Sequence, residues 1–289
     1  MGEKTLYPVI KADPLIEDAV RRAFNDHAAR YFEKAGDDLA ENLSLREQLF
    51  RDINDLGFCD ALEEIKNPDA WPDAAAIIRA QAYSGAPLDM VEVLIRKDHV
   101  AAIAHEAGSY LARPIGKSTD NPDDAQVLTA LSRCLQINAA MEAAIDTSLQ
   151  YVQDRKQFGR PLSAFQAIQH SLATAAEEVA AATAATDLAL GCLVTSGAGK
   201  RLNSLLQAAA LVNCTAVTVV FQISHQVHGA IGFTREYSLH RHTLNLLAWR
   251  NDLLTILGSE IKMAESLGKQ ALQPGGVWTT VTRLMGSTE

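Results

Sequence analysis

Residues 154–162, with the sequence DRKQFGRPL, combine side-chain types that suit a phosphate-bearing ligand. Arg155 offers a planar fork of N–H donors that matches a phosphate group, and Gln157 adds an amide donor and acceptor two residues later. Phe158 and Phe165 supply flat apolar surfaces close by in sequence. Together these groups favour an aromatic cofactor that carries phosphate. The alternative, from this stretch alone, is a charged helix end whose arginine is hydrated.

The same stretch predicts a joint between two long helices. Gly159 provides backbone freedom, and Pro161 suits the first turn of a new helix. After Pro122, apolar residues recur at three- and four-residue steps, and no proline occurs between Pro161 and Pro274. This pattern favours an up-and-down bundle of four long helices. The predicted helices cover about residues 123–155, the segment after Pro161, about residues 202–226 and about residues 239–267.

The N-terminal part of the chain also has helical periodicity and lacks the alternation typical of strands. The predicted helices are residues 14–35, a segment from the capping-box sequence at 44–47 to Gly57, residues 72–84, and residues 88–107. Residues 108–124 are rich in loop-forming residues. We therefore predict an all-α protein with three parts: a shortened helical domain at 1–121, a four-helix bundle at 122–272, and a C-terminal arm at 273–289 that reaches a neighbour or frays.

Composition argues against several classes of function. The formal charge of −9 disfavours general nucleic-acid binding. No run of 18 or more apolar residues and no signal-peptide pattern occurs, so we expect no membrane span and a cytoplasmic location. Four widely spaced cysteines are expected to be small buried apolar groups: Cys59, Cys134, Cys192 and Cys214. Four histidines lack metal-ligand spacing, so no metal site is expected: His225, His228, His240 and His242.

Two blocks of this sequence resemble signatures of the acyl-CoA dehydrogenase family. Residues 155–159 (RKQFG) with 165–169 (FQAIQ) resemble the family's "RxxFG…FQ" pattern. Residues 226–237 (QVHGAIGFTREY) are similar to its "Q-x-HGGxGYTxEY" pattern, and Arg241 falls on the arginine that follows it. The resemblance covers about residues 122–268. It implies the family's C-terminal four-helix bundle behind a shortened helical N-terminal domain. The family's middle β domain would be largely absent, because residues 108–124 are far too few to form one.

The resemblance implies an FAD site that spans a subunit interface. It places Arg155 on the pyrophosphate of a neighbour's FAD, with Gln157 and Phe158 alongside. Further positions match residues near the adenosine half and the adenine–ribose end of that FAD: Leu162, Phe165, Gln226, Gly229 and Ala230. Ala230 stands where the family pattern has a glycine. The structural alternative is that the glycines of the second block only join two helices.

The family's catalytic base has no counterpart in this chain. α,β-Dehydrogenation requires a carboxylate that removes the α-proton while hydride leaves for the flavin. The two positions that carry this glutamate in the family correspond to Leu253 and Thr129 here. Asp252 is a weak candidate, because a shift of one helical position turns a side chain by about 100°. We therefore expect the chain to supply no catalytic base.

The resemblance implies a subunit of an FAD-dependent acyl-CoA dehydrogenase, similar to the small β-domain-lacking subunits of heterotetrameric, steroid-CoA-type enzymes. A full-length acyl-CoA dehydrogenase partner would supply the catalytic glutamate and bind the acyl-CoA substrate. Electron-transfer flavoprotein would be the acceptor. Two alternatives stay open: a homomeric dehydrogenase with a relocated base such as Asp252, and a flavin-free helical adaptor.

The missing β domain also predicts apolar helix faces that lack partners. Exposed apolar patches larger than a few hundred Å² are rare on soluble monomers. We therefore expect an obligate interface of more than about 2,000 Å². The residues expected to be short of partners are Leu131, Leu135, Leu246, Leu247 and Trp249.

Overall fold

The computed structural model describes residues 10–36, 39–63, 67–104, 124–273 and 276–284. The N-terminal helices are α1 (Pro14–Lys34), α2 (Leu39–Asp55), α3 (Trp71–Ser84), α4 (Met90–Leu94) and α5 (His99–Ile103). The later helices are α6 (Asp124–Asp154), α7 (Gln166–Ser196), α8 (Lys200–His228), α9 (Leu239–Leu257), α10 (Glu260–Ala271) and α11 (Gly276–Leu284). Within these ranges the strands are β1 (Lys156–Gln157) and β2 (Arg160–Pro161). The predicted all-α class and its helical bundle are confirmed, and no β domain occurs in the described part of the chain.

Helix α6 is the centre of the molecule. It packs against α3 on the N-terminal side and against α7, α8 and α9 in the bundle. Residues 127–141 of α6 are buried at every position, although five of these fifteen residues are polar: Thr129, Ser132, Arg133, Gln136 and Asn138. The four cysteines are buried and free, as predicted. Because α6 touches both halves, the N-terminal helices and the bundle share one hydrophobic core.

The prediction that apolar faces of α6 and α9 lack partners is wrong. Leu131, Leu135, Leu246 and Trp249 are fully buried, and Leu247 is partly buried against the same core. The reason is the packing of α9 on α6, which covers both faces within this chain. Periodicity shows that a helix face is apolar but cannot show which neighbour covers it.

Two predicted helices are interrupted. Residues 88–107 contain the separate helices α4 and α5, and residues 105–107 lie outside the described ranges. Each helix has its own aspartate N-cap: Asp89 accepts from Val91 N at 3.0 Å, and Asp98 accepts from Ala101 N at 2.9 Å. Between them Lys97 has φ 55°, which a continuous helix does not allow.

The helix predicted at 239–267 breaks at Gly258, which has φ 91° and ends α9. Ser259 then caps α10 through its hydroxyl, which accepts from Lys262 N at 3.3 Å. A Gly-Ser pair is a stop-and-start signal that apolar periodicity conceals. The capping box predicted at 44–47 is also wrong, because α2 begins at Leu39 and Ser44 lies inside it.

The described part of the C-terminal tail turns back onto its own chain. Helix α11 packs against α10 and α8, and the Thr280 hydroxyl donates to Gln270 O at 3.0 Å. This differs from the arm that the Pro-Gly-Gly sequence predicts. The loop predicted at 108–121 lies outside the described residues, so the three-domain division stays a prediction.

Helices α7 and α8 are long and apolar enough to cross a membrane by length and composition alone. Within the fold they pack against each other and against α6. The most apolar windows are 44% buried in Gln166–Ser196 and 56% buried in Lys200–Phe233. Core helices of bundles meet the same criteria, so this observation is weak evidence for a span.

A buried cluster of ion pairs links the N-terminal helices to the bundle. Arg133 of α6 has no exposed surface, and its Nη1 donates to Asp89 Oδ2 at 2.7 Å. Its Nη2 donates to Glu92 Oε1 at 3.1 Å, and its Nε lies 3.0 Å from Asp252 Oδ2 of α9. Gln136 joins the cluster by donating to Asp89 at 3.0 Å. One guanidinium therefore connects α4, α6 and α9.

Replacement of Arg133 by Met should lower the free energy of unfolding by about 3–5 kcal/mol, because the fully buried Asp89 would lose the counter-charge that Arg133 supplies. Arg96→Met is the matched control, since Arg96 is about half exposed and also binds Glu92. It should cost less than about 1 kcal/mol. Urea denaturation of the purified proteins measures both values. Equal losses of unfolding free energy in the two variants would contradict the stabilising role of Arg133.

Candidate functional site

A tight hairpin joins α6 to α7 and carries the first sequence block. Leu162 N donates to Arg155 O at 2.9 Å, and β1 pairs with β2 in antiparallel register. The two residues at its tip, Phe158 and Gly159, have φ 52° and φ 80°. This geometry favours Asn-Gly or Gly-Gly at the tip of a two-residue hairpin. A phenylalanine with positive φ is strained, by roughly 1–3 kcal/mol.

The strained Phe158 is also the most exposed large apolar side chain in the described ranges, with 90% of its surface accessible. Its ring meets the Phe165 ring edge-on, with centroids 6.3 Å apart. The Arg160 guanidinium lies over the other aromatic group, 4.1 Å from the centroid of Phe165. Strain and exposure at one aromatic residue do not serve the stability of this chain. They indicate a contact made with another molecule.

Arg155 and Gln157 are exposed next to this aromatic pair. Within the described residues neither side chain makes a hydrogen bond or an ion pair. The adjacent carboxylate does not neutralise the arginine, because Asp154 accepts a bond from Gln150 Nε2 at 2.7 Å instead. The guanidinium of Arg155 is therefore available to an external anion.

The second sequence block lies at the same end of the bundle. Tyr151, in the last turn of α6, stacks on His228 with ring centroids 4.4 Å apart. Its hydroxyl donates to His228 O at 3.4 Å. A small apolar cluster beneath the hairpin combines both blocks, with Leu162 and Ile168 packed against its three buried members: Val152, Leu172 and Val227. The structure thus brings together segments that are about seventy residues apart in sequence.

The predicted residues of the second block occupy its outer surface. Gln226, Gly229 and Ala230 are exposed, and Gln226 has no partner among the described side chains. Gly229 has φ 64°, and nothing lies within 4 Å of where its Cβ would be. By contrast, a Cβ on Gly232 would lie 2.9 Å from His228 Cβ. Gly229 therefore leaves open surface near the hairpin, while Gly232 serves internal packing.

More apolar surface is exposed at this end than sequence analysis predicted. The side chains are accessible by 40%, 38% and 67% at Leu149, Ile231 and Phe233. Leu149 lies in the last turns of α6, and Ile231 and Phe233 lie in the 3-10 turn Gly229–Phe233. Helical periodicity does not single out the two residues of the 3-10 turn, because they lie outside the long helices. Exposed apolar side chains near unpaired polar groups are typical of a binding surface.

Buried histidines support the 3-10 turn from below. Burial lowers the pKa of His225 and of His228, and it lowers the pKa of His242 to about 4, with Arg241 and His240 contributing. The His225 ring nitrogen Nε2 lies 3.1 Å from the Thr243 hydroxyl, and His228 Nδ1 lies 2.7 Å from Ser224 O. The rings of His225 and His228 hold the turn in place, since His225 stacks on Phe233 and both histidines lie against Gly232. In the part of the chain that the structure describes, no cluster of three or more metal-ligating side chains occurs.

The positions that would hold a catalytic base are filled by core groups. Leu253 is fully buried, and the Thr129 hydroxyl donates to Ala125 O at 2.7 Å. Asp252, the weak candidate, is engaged by the buried Arg133 at 3.0 Å. Sequence reasoning missed Arg133 itself, although an arginine within an otherwise apolar helical run was a visible signal for a buried ion pair.

Comparison with known proteins agrees with this architecture. Residues 128–250 match the acyl-CoA dehydrogenase C-terminal domain. The chain is 34% identical over 100 residues to the probable acyl-CoA dehydrogenase YngJ of Bacillus subtilis, covering 35% of this chain and 26% of that protein. It is 29% identical over 147 residues to acyl-CoA dehydrogenase IpdE2 of Mycobacterium tuberculosis, covering 49% and 43%. The chain thus spans less than half the length of these curated relatives.

Two solved structures share the fold over nearly their whole length. One is a chain of the ChsE4-ChsE5 complex from Mycobacterium tuberculosis, with TM-score 0.66 and 14% identity over 92% of this chain and 99% of that one. The other is a chain of the Tcur3481-Tcur3483 steroid ACAD, with TM-score 0.63 and 16% identity over 88% and 96%. At these identities the similarity shows the fold alone.

The depressed pKa of His242 predicts loss of stability in acid. Above the unfolded-state pKa of about 6.5, His242 is neutral in both states. As pH falls from about 6.5 towards 4, the unfolded chain binds a proton that the folded chain does not, so the free energy of unfolding falls by on the order of 3 kcal/mol. Replacement His242→Gln should flatten this decline, while the exposed control His170→Gln should not. Melting temperatures across this pH range would contradict the account if all three profiles were parallel.

Proposed function

We propose that this chain, which carries an acyl-CoA dehydrogenase C-terminal domain over residues 128–250, is the small subunit of a heteromeric, FAD-dependent acyl-CoA dehydrogenase. The observation that carries the proposal is the hairpin. Arg155, whose side chain has no partner among the described residues, lies close to the strained, exposed Phe158, and the second block is exposed at the same end of the bundle. Such a surface is complete only when another molecule covers it.

The residues present fit the phosphate and adenine end of FAD. Arg155 would bind the pyrophosphate through charge-assisted hydrogen bonds, and Gln157 would add a neutral one. Phe158, Leu162 and Phe165 would provide the apolar wall for the adenosine half. Gln226, Gly229 and Ala230 would contact the adenine–ribose end across open surface. When bound, FAD supplies the acceptor for the substrate hydride.

A partner subunit would supply the remaining parts of the site. At the two base positions this chain has Leu253, which is buried, and Thr129, whose hydroxyl donates to Ala125 O one turn earlier. No β domain occurs in the described residues. A full-length acyl-CoA dehydrogenase would bring the catalytic glutamate and the pocket for the flavin ring. The homomeric alternative would need Asp252 as base. That role would require the carboxylate to leave a fully buried arginine, which is costly.

Similarity to known structures supports the proposed partner and substrate. The two structures that share this fold along most of its length are chains of two-protein assemblies, and one of these is named a steroid ACAD. They support a heteromer that acts on an acyl-CoA thioester, with a steroid side chain as the candidate acyl group. Electron-transfer flavoprotein is the proposed acceptor, and the cytoplasm is the proposed location.

Replacement Arg155→Ala should weaken FAD retention by the complex about ten- to a hundredfold, because one charge-assisted phosphate contact contributes about 1.5–3 kcal/mol. The side chain has no partner among the described residues, so the fold should be unaffected. Lys156→Ala is the matched control, since it removes the same charge from the adjacent exposed position. The flavin-to-protein ratio after dialysis is the measurement. Equal retention by both variants would contradict the role of Arg155.

The chain purified alone should not dehydrogenate any acyl-CoA, because Leu253 and Thr129 occupy both base positions. Activity should appear when a full-length partner is co-expressed. A dye-reduction assay with acyl-CoA substrates measures turnover in both preparations. If the single chain turned over acyl-CoA and the Asp252→Asn replacement abolished that turnover, the homomeric alternative would be supported instead.

A further inference from the structure

A cleft of about 240 Å³ lies between the residues that follow α1, Ala35 and Gly36, and the beginning of α9. It shares no lining residue with the hairpin surface. Its lining includes Arg46, Arg235, Arg241 and His240, and no carboxylate lines it within the described ranges. We propose that this cleft binds a phosphate-bearing anion.

The concentration of positive charge contrasts with the rest of the chain. The sequence has 35 acidic and 26 basic residues, and its formal charge is −9. Most exposed arginines of the N-terminal helices pair with acids one turn away, as Arg22 does with Asp18. Three arginines that converge on a cleft without acids therefore require a specific explanation. An anionic ligand supplies the missing counter-charge.

Arg46 provides the strongest constraint, because it is only 5% exposed. Its Nε donates to the Tyr31 hydroxyl at 3.2 Å, and its guanidinium makes no ion pair with a described carboxylate. A buried charge without a counter-charge costs several kcal/mol, so such a group is retained where a ligand completes it. The bond to Tyr31 fixes the guanidinium in place, and no hydrogen bond to a described residue occupies its Nη atoms.

Arg241 forms the opposite wall of the cleft. Its guanidinium stacks over the Phe32 ring, 3.5 Å from the centroid, which fixes its plane and leaves its edge available for hydrogen bonds. Burial lowers the pKa of Arg241, and within the described ranges no carboxylate offsets this effect. Asn245, which also lines the cleft, is 2% exposed. Its side-chain amide nitrogen can donate to the same anion.

The size of the cleft selects the ligand class. A volume of about 240 Å³ accommodates a phosphate or diphosphate group but not a whole dinucleotide. Planar arginine forks match the oxygens of phosphate in pairs. Asn42 fixes the backbone of Gly36 next to the cleft: its Nδ2 donates to Gly36 O at 2.8 Å, and its Oδ1 accepts from Gly36 N at 3.2 Å. The groups that would bind the anion are thus held in position beforehand.

Titration calorimetry with inorganic pyrophosphate, on the full chain or its complex as purified, tests the proposal. Wild-type protein should bind, and added chloride should weaken the affinity through screening. Arg235→Gln changes an exposed side chain, and Arg46→Lys keeps the buried charge but removes the fork. Each should weaken binding at least about tenfold. The control Arg22→Gln removes an equal charge elsewhere on the surface and should leave the affinity unchanged.

Absence of binding to the wild-type protein would overturn the proposal, as would an equal loss in the Arg22→Gln control. Asp37 and Asp38 follow Gly36 in sequence and lie outside the described residues. Binding that appears only in an Asp37→Asn, Asp38→Asn double variant would also overturn it, because the chain would then supply its own counter-charge. Tighter binding of adenosine 3′,5′-bisphosphate than of pyrophosphate would identify the phosphate end of coenzyme A as the source. Equal binding would identify a free phosphate.

Discussion

The buried guanidinium of Arg133 is the interaction on which this fold depends. It lies where α4, α6 and α9 meet, and it binds Asp89, Glu92 and Asp252 at once. A buried ionic cluster is favourable only when all its members are in place, because each unpaired charge would carry a large desolvation cost. The N-terminal helices and the bundle must therefore assemble together. Near the cluster, α6 is fully buried. Asp252 is ion-paired with Arg133 there, and Leu253 is buried in the core.

The opposite end of α6 leads into exposed residues. The hairpin begins 22 residues after Arg133, which is about 33 Å along a helix. There the chain exposes Phe158 in a strained backbone and leaves Arg155 without a partner in the described residues. Helix α6 thus has a buried ionic cluster near one end and exposed polar and aromatic groups beyond the other, which separates the groups that stabilise the fold from those available for binding. In the proposed function, core residues occupy the base positions near the first end, and residues beyond the second end bind the FAD of a neighbouring subunit.

Sequence analysis predicts most of this architecture because α6, α7 and α8 have strong helical periodicity and the joint has Gly159 and Pro161 as markers. It fails where a local signal is short, as at Gly258 before α10 and at Lys97 between α4 and α5. It also places the exposed apolar surface on the wrong residues. Leu131 and Trp249 are covered by packing between helices distant in sequence, which no local pattern records. The contacts of Arg133 and of the arginine-lined cleft are missed for the same reason.

Sedimentation velocity, recorded at the protein and flavin absorbance bands, shows whether the cofactor surface of this chain is complete only in a heteromer. The chain would be run alone with added FAD, and again after co-expression with a full-length acyl-CoA dehydrogenase. Flavin absorbance should sediment only with the two-protein complex, because cofactor and partner bind the same surface. A stable, monodisperse single chain that sediments with flavin would contradict this prediction, as would a two-protein complex that binds none.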